Sequence, residues 1–447
     1  MNILLITYYY KHKNAMASVR AIKLAKYFSA EGHNVTVLTS NQIDTWTKSY
    51  VEPEKNENIA EFYAPEVKRW SLIQKYLSDR KRKGAERLAA ASSTVATDAA
   101  TNTPPKKKSL KLRIKSFLSW LFYFTVAKQE DVCMFKGMKK EYKENIGTHF
   151  DVAIATYPTY GAFLTGMWLK RRGYCDKLIA DFRDPLYNPG FRSRRAESKY
   201  DKKCLDKIVK RADKLVCVSE GIADGIKEQY PCMQKPVSII TNGFDTDDVS
   251  ESNVEVHFDS SKINFVYVGA LYHGKRCVDM LASVLRELIQ DGEIEKDSFA
   301  FHYAGSDYSE LVEQLRAYDL VDTATDHGFV SRAESISMQK NASALLLLTW
   351  NETSYKGVIP GKLFEYMAIK NVPIIALVTG DIADSEVAMM IRSCGAGYAA
   401  EEANLDSLEF KDYVLSIFRG EAYLSGNSDI YDYKNISRNY AEFIKEK

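Results

Sequence analysis

The chain has 447 residues, of which 45 % are apolar. One small domain is excluded and two domains are the natural expectation. Sixty-one Lys and Arg against 59 Asp and Glu leave a net charge of +2, which excludes a nucleic-acid binder relying on bulk charge but not a local basic patch. Seven cysteines, an odd number with no C-x-x-C, speak against a disulfide scaffold or a Cys-based zinc site and for a reducing compartment.

The first apolar run, 3–6, predicts a strand buried on both faces. It is too short for a signal peptide and has no basic residues before it. Val19, Ile22, Leu24, Ala25 and Phe28 follow at helical spacing up to Gly32, and 35–38 is a second buried strand, which makes a βαβ unit. Further strands are predicted at 152–155, 177–180, 215–218 and 237–240. A second series begins at 263–268 and continues at 301–304, 344–348 and 373–377, with helices such as 279–289 and 362–368 between them. Two runs of alternating strand and helix predict an α/β chain with two doubly wound parallel sheets. The join falls in the polar, acidic stretch 242–262, so the domains are expected at 1–245 and 246–430. Residues 431–447 read as a C-terminal helix, free to return to the N-terminal domain.

One segment breaks the pattern, an insertion over 84–128. Residues 84–103 are rich in Ala, Ser and Thr and read as a mobile linker. Lys106, Lys107, Lys108, Lys111, Arg113 and Lys115 follow, beside an apolar helical face of Leu110, Ile114, Phe117, Leu118, Leu121 and Phe122. This composition fits two readings: a helix lying in an anionic membrane interface, or a surface helix packed on the first domain. No run of 18 apolar residues occurs, so no transmembrane helix is expected.

Ligands of doubly wound sheets bind at the carboxyl ends of strands. No G-x-G-x-x-G and no P-loop follows any of these strands, which weakens a dehydrogenase or NTPase reading. Pro360 and Gly361 open a helix whose free N–H groups can hold a diphosphate. Glu365, one turn inside, can accept two hydrogen bonds from a ribose diol; the alternative is a plain helix start with a surface Glu. In the loop 269–276, Gly269 allows close backbone approach, and Lys275 and Arg276 can neutralise a diphosphate; the alternative is a solvated basic loop. His12 and His33 lie near the first unit and His273 in this loop, and none belongs to a cluster with metal spacing. Asp245, Asp247 and Asp248 read as a solvated acidic run in the linker.

These segments together resemble the nucleotide-sugar half of GT-B glycosyltransferases, specifically glycosyltransferase family 4. Other pieces carrying the resemblance are Arg20 with Leu24-Ala25, the run 32–39, Asp181-Phe182-Arg183-Asp184, Val218-Ser219-Glu220, the run 241–245 and Gly328-Phe329-Val330-Ser331. It covers most of the chain outside 51–150. The resemblance implies two Rossmann-like domains facing a cleft, with the nucleotide-sugar donor (UDP or GDP type) on the second and a sugar or lipid-linked sugar acceptor on the first. It implies retention of anomeric configuration and no cofactor or bound metal. By carry-over, Glu365 holds the ribose, Lys275 and Arg276 the diphosphate, and Val330 lies near the base. Gly361, Lys362 and Leu363 offer backbone N–H groups to the phosphates. Asp184, with Asp181 and Arg183, stands at the catalytic position, where the residues alone leave an internal Asp–Arg pair equally open for Asp181. Arg20, Ser18, Tyr157 and Asn242 line the acceptor side.

The chain departs from the family pattern in two places. Gly357 stands where a sugar-contacting Glu is usual, and Ala270 where an Arg is usual. The remaining pattern is similar to a subgroup that builds surface polysaccharides or glycolipids, which implies a cytoplasmic enzyme at the inner face of the cell membrane. A non-catalytic nucleotide-sugar-binding subunit and a GT-B epimerase or phosphorylase are the competing readings.

Overall fold

The computed structural model describes residues 1–11, 16–41, 58–67, 129–157, 159–185, 195–250, 254–272, 274–353, 355–422, 424 and 426–446. The expected basic helix at 106–115, its linker, and His12 and His273 lie outside them. The chain divides into two compact units, residues 1–216 with 234–237, and residues 217–233 with 238–447.

The first unit starts with β1 (Asn2–Thr7), α1 (Met16–Ala30), β2 (Asn34–Ser40) and β3 (Ile59–Ala64). Helix α2 (129–141), β4 (Phe150–Thr156), α3 (Tyr160–Arg171), β5 (Cys175–Phe182), α4 (Arg195–Arg211) and β6 (Lys214–Cys217) follow. After α5 (Glu220–Gln229), which groups with the second unit, comes β7 (Val237–Ile239). The sheet runs β3-β2-β1-β4-β5-β6-β7, with β3 through β5 paired in parallel. Ile3, Leu4, Leu5 and Ile6 are all buried, because crossover helices cover both faces of a parallel sheet.

The second unit carries β8 (Ile263–Val268), α6 (Asp279–Gln290), β9 (Phe299–Ala304), α7 (Tyr308–Arg316), β10 (Ala324–Asp326), α8 (Arg332–Lys340) and β11 (Ala344–Trp350). It continues with α9 (Gly361–Ile369), β12 (Ile374–Thr379), α10 (Glu386–Cys394), β13 (Gly397–Glu401), α11 (Ser407–Phe418) and α12 (Tyr433–Lys445). The strand order is β10-β9-β8-β11-β12-β13, all parallel. Alternate residues of one strand feed two cores. Phe265, Leu346 and Leu348 meet α6, α7 and α11 on one face, while Val266, Leu345 and Leu347 meet α8, α9 and α10 on the other. Both units are thus α/β doubly wound, Rossmann-like domains. Each sheet reverses its order where its first strand meets the fourth, β1 beside β4 and β8 beside β11. Those are the two places where such a sheet opens a crevice for a ligand. Helix α12 groups with the second unit, where its entry is fixed by a bridge between Phe244 and Asp432. Among the described residues, no helix is long and apolar enough to cross a membrane.

Candidate functional site

In the second unit the loops after β8 and β11 meet at the switch point. Gly269, at φ +154, leaves the strand, and its carbonyl accepts from the Tyr303 hydroxyl at 2.9 Å. Arg276 Nη1 donates to Ala270 O at 3.1 Å, and its guanidinium lies 4.5 Å from the Tyr272 ring centre and 5.6 Å from that of Trp350. Lys275 Nζ donates to both carboxylate oxygens of Glu352, at 2.9 and 3.0 Å, and sits 5.3 Å from the centre of the Trp350 ring. The expected diphosphate cations are therefore together, with Lys275 held by a carboxylate from the neighbouring loop.

Helix α9 follows β11 through the loop that carries Glu352 and opens after extended Pro360. Leu363 N–H already donates to Pro360 O at 3.0 Å, and the Leu363 side chain is buried. Gly361 and Lys362, ahead of that bond, carry backbone N–H groups with no partner among the described residues, as the first turn of a helix requires. Glu365 projects one turn in. Its Oε1 accepts from Lys362 Nζ at 2.7 Å and from Gln339 Nε2, and Gln339 Nε2 also donates to Ser335 Oγ at 2.9 Å. Burial pushes the Glu365 carboxyl up. The Lys362 charge, the hydrogen bonds from Lys362 and Gln339, and the Arg332 charge outweigh that and leave it below the ordinary range. It is an ionised acceptor, tied on one oxygen. Val330 packs on the core just before α8, whose start is set by a Ser331–Glu334 capping box.

The glycine at 357 has a steric cause. Its φ is +76, and a Cβ there would meet Ser219 Oγ at 2.7 Å and Gly221 Cα at 3.0 Å. No glutamate fits without moving α5. Asn242 is half-buried and groups with the second unit. In the acidic run, Asp245 Oδ1 accepts from Asp247 N–H at 3.2 Å, and Asp248 pairs with Arg332 at 3.4 Å. Among the described residues no three His, Cys, Asp or Glu side chains are placed to hold a metal ion.

In the first unit, β5 brings Asp181, Arg183 and Asp184 beside the β1–β4 switch point. Asp181 is fully buried in a two-pronged pair with Arg20, Nε to Oδ2 at 3.1 Å and Nη2 to Oδ1 at 2.8 Å, with only 1 % and 2 % of these side chains exposed. The internal pair left open for Asp181 is thus formed, with Arg20 of α1 as the partner. Arg183 donates to the carbonyls of Tyr157 (2.7 Å) and Ala17, tying the end of β4 to the start of α1 next to buried Ser18. Of the three, Asp184 is the exposed one. Desolvation by the protein around it raises its carboxyl, against the pull of Arg183.

Sequence reading did not find Glu352, Trp350, Ser335 or Gln339. Glu352 and Lys275 are 77 positions apart, and nothing in either segment signals the pair. Ser335 and Gln339 do carry a signal, a polar i,i+4 pair on an otherwise apolar helix face, but a solvated face reads the same way.

Residues 85–248 match the model for Glycosyltransferase Family 4. The match begins inside the stretch where motifs gave no resemblance and ends before Lys275 and Glu365. A search of curated proteins gives no match. Among solved structures, sucrose-phosphate synthase (tll1590) from Thermosynechococcus elongatus superposes with a TM-score of 0.60 at 12 % identity, covering 99 % of this chain and 98 % of that one. OtsA in its apo form gives a TM-score of 0.62 at 10 % identity over 100 % of both chains. The apo lipopolysaccharide outer core galactosyltransferase WaaB gives 0.54 at 15 % identity over 99 % of both. These likenesses show the fold, a pair of Rossmann-like domains of the GT-B kind. The chain thus has the GT-B fold, with a match to the glycosyltransferase family 4 model over part of its length.

Proposed function

We propose that the chain is a glycosyltransferase that moves a sugar from a nucleoside-diphosphate sugar, of UDP or GDP type, to an acceptor hydroxyl. The observation that carries this reading is one site in the second unit. An ionised, half-tied carboxylate (Glu365), two open helix N–H groups (Gly361, Lys362) and two cations (Lys275, Arg276) lie on the segments that follow β8 and β11, the two strands of the switch point. A nucleoside diphosphate has a ribose diol that needs an acceptor and phosphates that need donors and positive charge. As the bond from the anomeric carbon to the diphosphate oxygen breaks, negative charge grows on the leaving group. Lys275, Arg276 and the α9 amides stabilise that charge, so the leaving group can depart without a metal ion. The transfer retains the anomeric configuration, with the acceptor hydroxyl entering on the face from which the diphosphate leaves. Asp184 orients the acceptor hydroxyl, whose proton leaves on the departing diphosphate. Asp181 and Arg20 hold the floor beneath it. The product belongs to polysaccharide or glycolipid synthesis, made in the cytoplasm at the inner face of the membrane, with 106–115 as the contact to anionic lipid.

A thermal-shift panel of UDP, GDP and their sugars tests the reading, because a ligand that binds the folded state raises the melting temperature by mass action. One base series is expected to raise it and the other not. No shift with any of them would contradict the nucleotide-sugar assignment.

A further inference from the structure

We infer that Gln339 is the positioning residue of the ribose-binding carboxylate. This rests on the reading of Glu365 as ribose acceptor. Glu365 has three rotatable side-chain bonds, and its position on α9 does not by itself aim the carboxylate. Two donors fix Oε1, from Lys362 and Gln339, and Oε2 has no donor among the described residues. Lys362 is the soft half of this clamp: a long side chain on the same helix, 27 % exposed, that moves with the carboxylate. Gln339 is the rigid half. It is fully buried on α8, and its amide is braced by Ser335 Oγ at 2.9 Å. Only an amide nitrogen can face an ionised carboxylate, so the orientation of Gln339 is set and its own Oε1 points away. Among the described residues that oxygen is buried without a partner. An unpaired buried carbonyl is destabilising, and a leucine of similar size would avoid it. A glutamine held there at a cost to the fold argues that what it does for Glu365 is functional.

The test is calorimetric binding of a nucleoside diphosphate, its 2′-deoxy and 3′-deoxy forms, and inorganic pyrophosphate, to the full chain and to Gln339→Leu. In the wild type, removal of a ribose hydroxyl is expected to weaken binding about tenfold or more, the scale of a hydrogen bond to a charged group. In Gln339→Leu the ribose preference should shrink towards parity, with pyrophosphate affinity kept and the melting temperature at or above that of the wild type. A preference as large as in the wild type would overturn the inference while leaving the nucleotide reading intact. No ribose preference in the wild type would overturn both. Gln339→Glu gives an independent readout should the leucine variant not fold. Two carboxyls then face each other and one takes a proton as the pH falls. The ratio of nucleotide affinity of this variant to that of the wild type is expected to rise from pH 8 to pH 5, since the titration of the terminal phosphate is common to both. Parallel profiles would count against the clamp.

Discussion

Asp181 and Asp184 stand three residues apart and have opposite environments. Asp181 is sealed in its pair with Arg20, and removing one partner leaves a buried charge alone. Arg20→Leu is therefore expected to cost about 3–5 kcal/mol of stability by denaturant unfolding. The double change Arg20→Leu with Asp181→Leu should recover most of it, and a double variant as unstable as the single one would contradict this account. Asp184 is open to solvent, so its loss should be felt in chemistry rather than in stability. Asp184→Asn is expected to lower turnover by about 10²-fold, the scale lost when a reacting group is misplaced, with donor affinity nearly unchanged. A fall in donor affinity with turnover per bound donor intact would take Asp184 out of the catalytic role.

At the scale of elements, α2, α3 and α4 are tied by one buried carboxyl. Asp131 on α2 accepts from Gly161 N–H at the start of α3 (3.0 Å) and from the Tyr200 hydroxyl of α4 (2.7 Å). Burial pushes its carboxyl up to about 7, with Glu130 and Asp201 adding to the rise and the Tyr200 and Gly161 hydrogen bonds opposing it. The folded state thus holds a proton that the unfolded chain releases near its ordinary value of about 4. The stability this proton contributes is complete below about pH 4 and is lost as the pH rises through about 7. Asn at this position mimics the protonated acid. Asp131→Asn is expected to gain melting temperature relative to the wild type between pH 5 and pH 8; identical profiles would refute the coupling. The elements themselves were legible unevenly. The central strands, apolar on both faces, stood out in the sequence. The strands that escaped, β3, β10 and β13, all lie at sheet edges, pair on one side only and are partly exposed. Ala-Thr-Asp and Gly-Tyr-Ala-Ala-Glu carry no strand signal of their own; neighbours impose the conformation.

For the whole molecule, the sequence order of strands and helices was enough to read two doubly wound units, because each βαβ step is local. The candidate site was legible only where one segment holds it. Gly361 to Glu365 is such a segment, whereas the Lys275–Glu352 and Gln339–Glu365 contacts join loops and helices distant in the chain. The basic stretch 106–115 bears on where the molecule works. Each Lys or Arg near an anionic surface contributes about 1 kcal/mol, so six suffice for reversible attachment. Co-sedimentation with anionic vesicles is expected, weakening in high salt and lost when all six are changed to Gln. Binding indifferent to lipid charge would assign the stretch to intramolecular packing and favour a soluble acceptor. The proposed donor site is central, and its most direct test is the calorimetric affinity of a nucleoside diphosphate for the wild type and for Glu365→Ala. Loss of a charged acceptor from a ribose diol is expected to cost about 1.5–3 kcal/mol, more than tenfold in affinity. An unchanged affinity would remove Glu365 from the site and contradict the proposed function at its core.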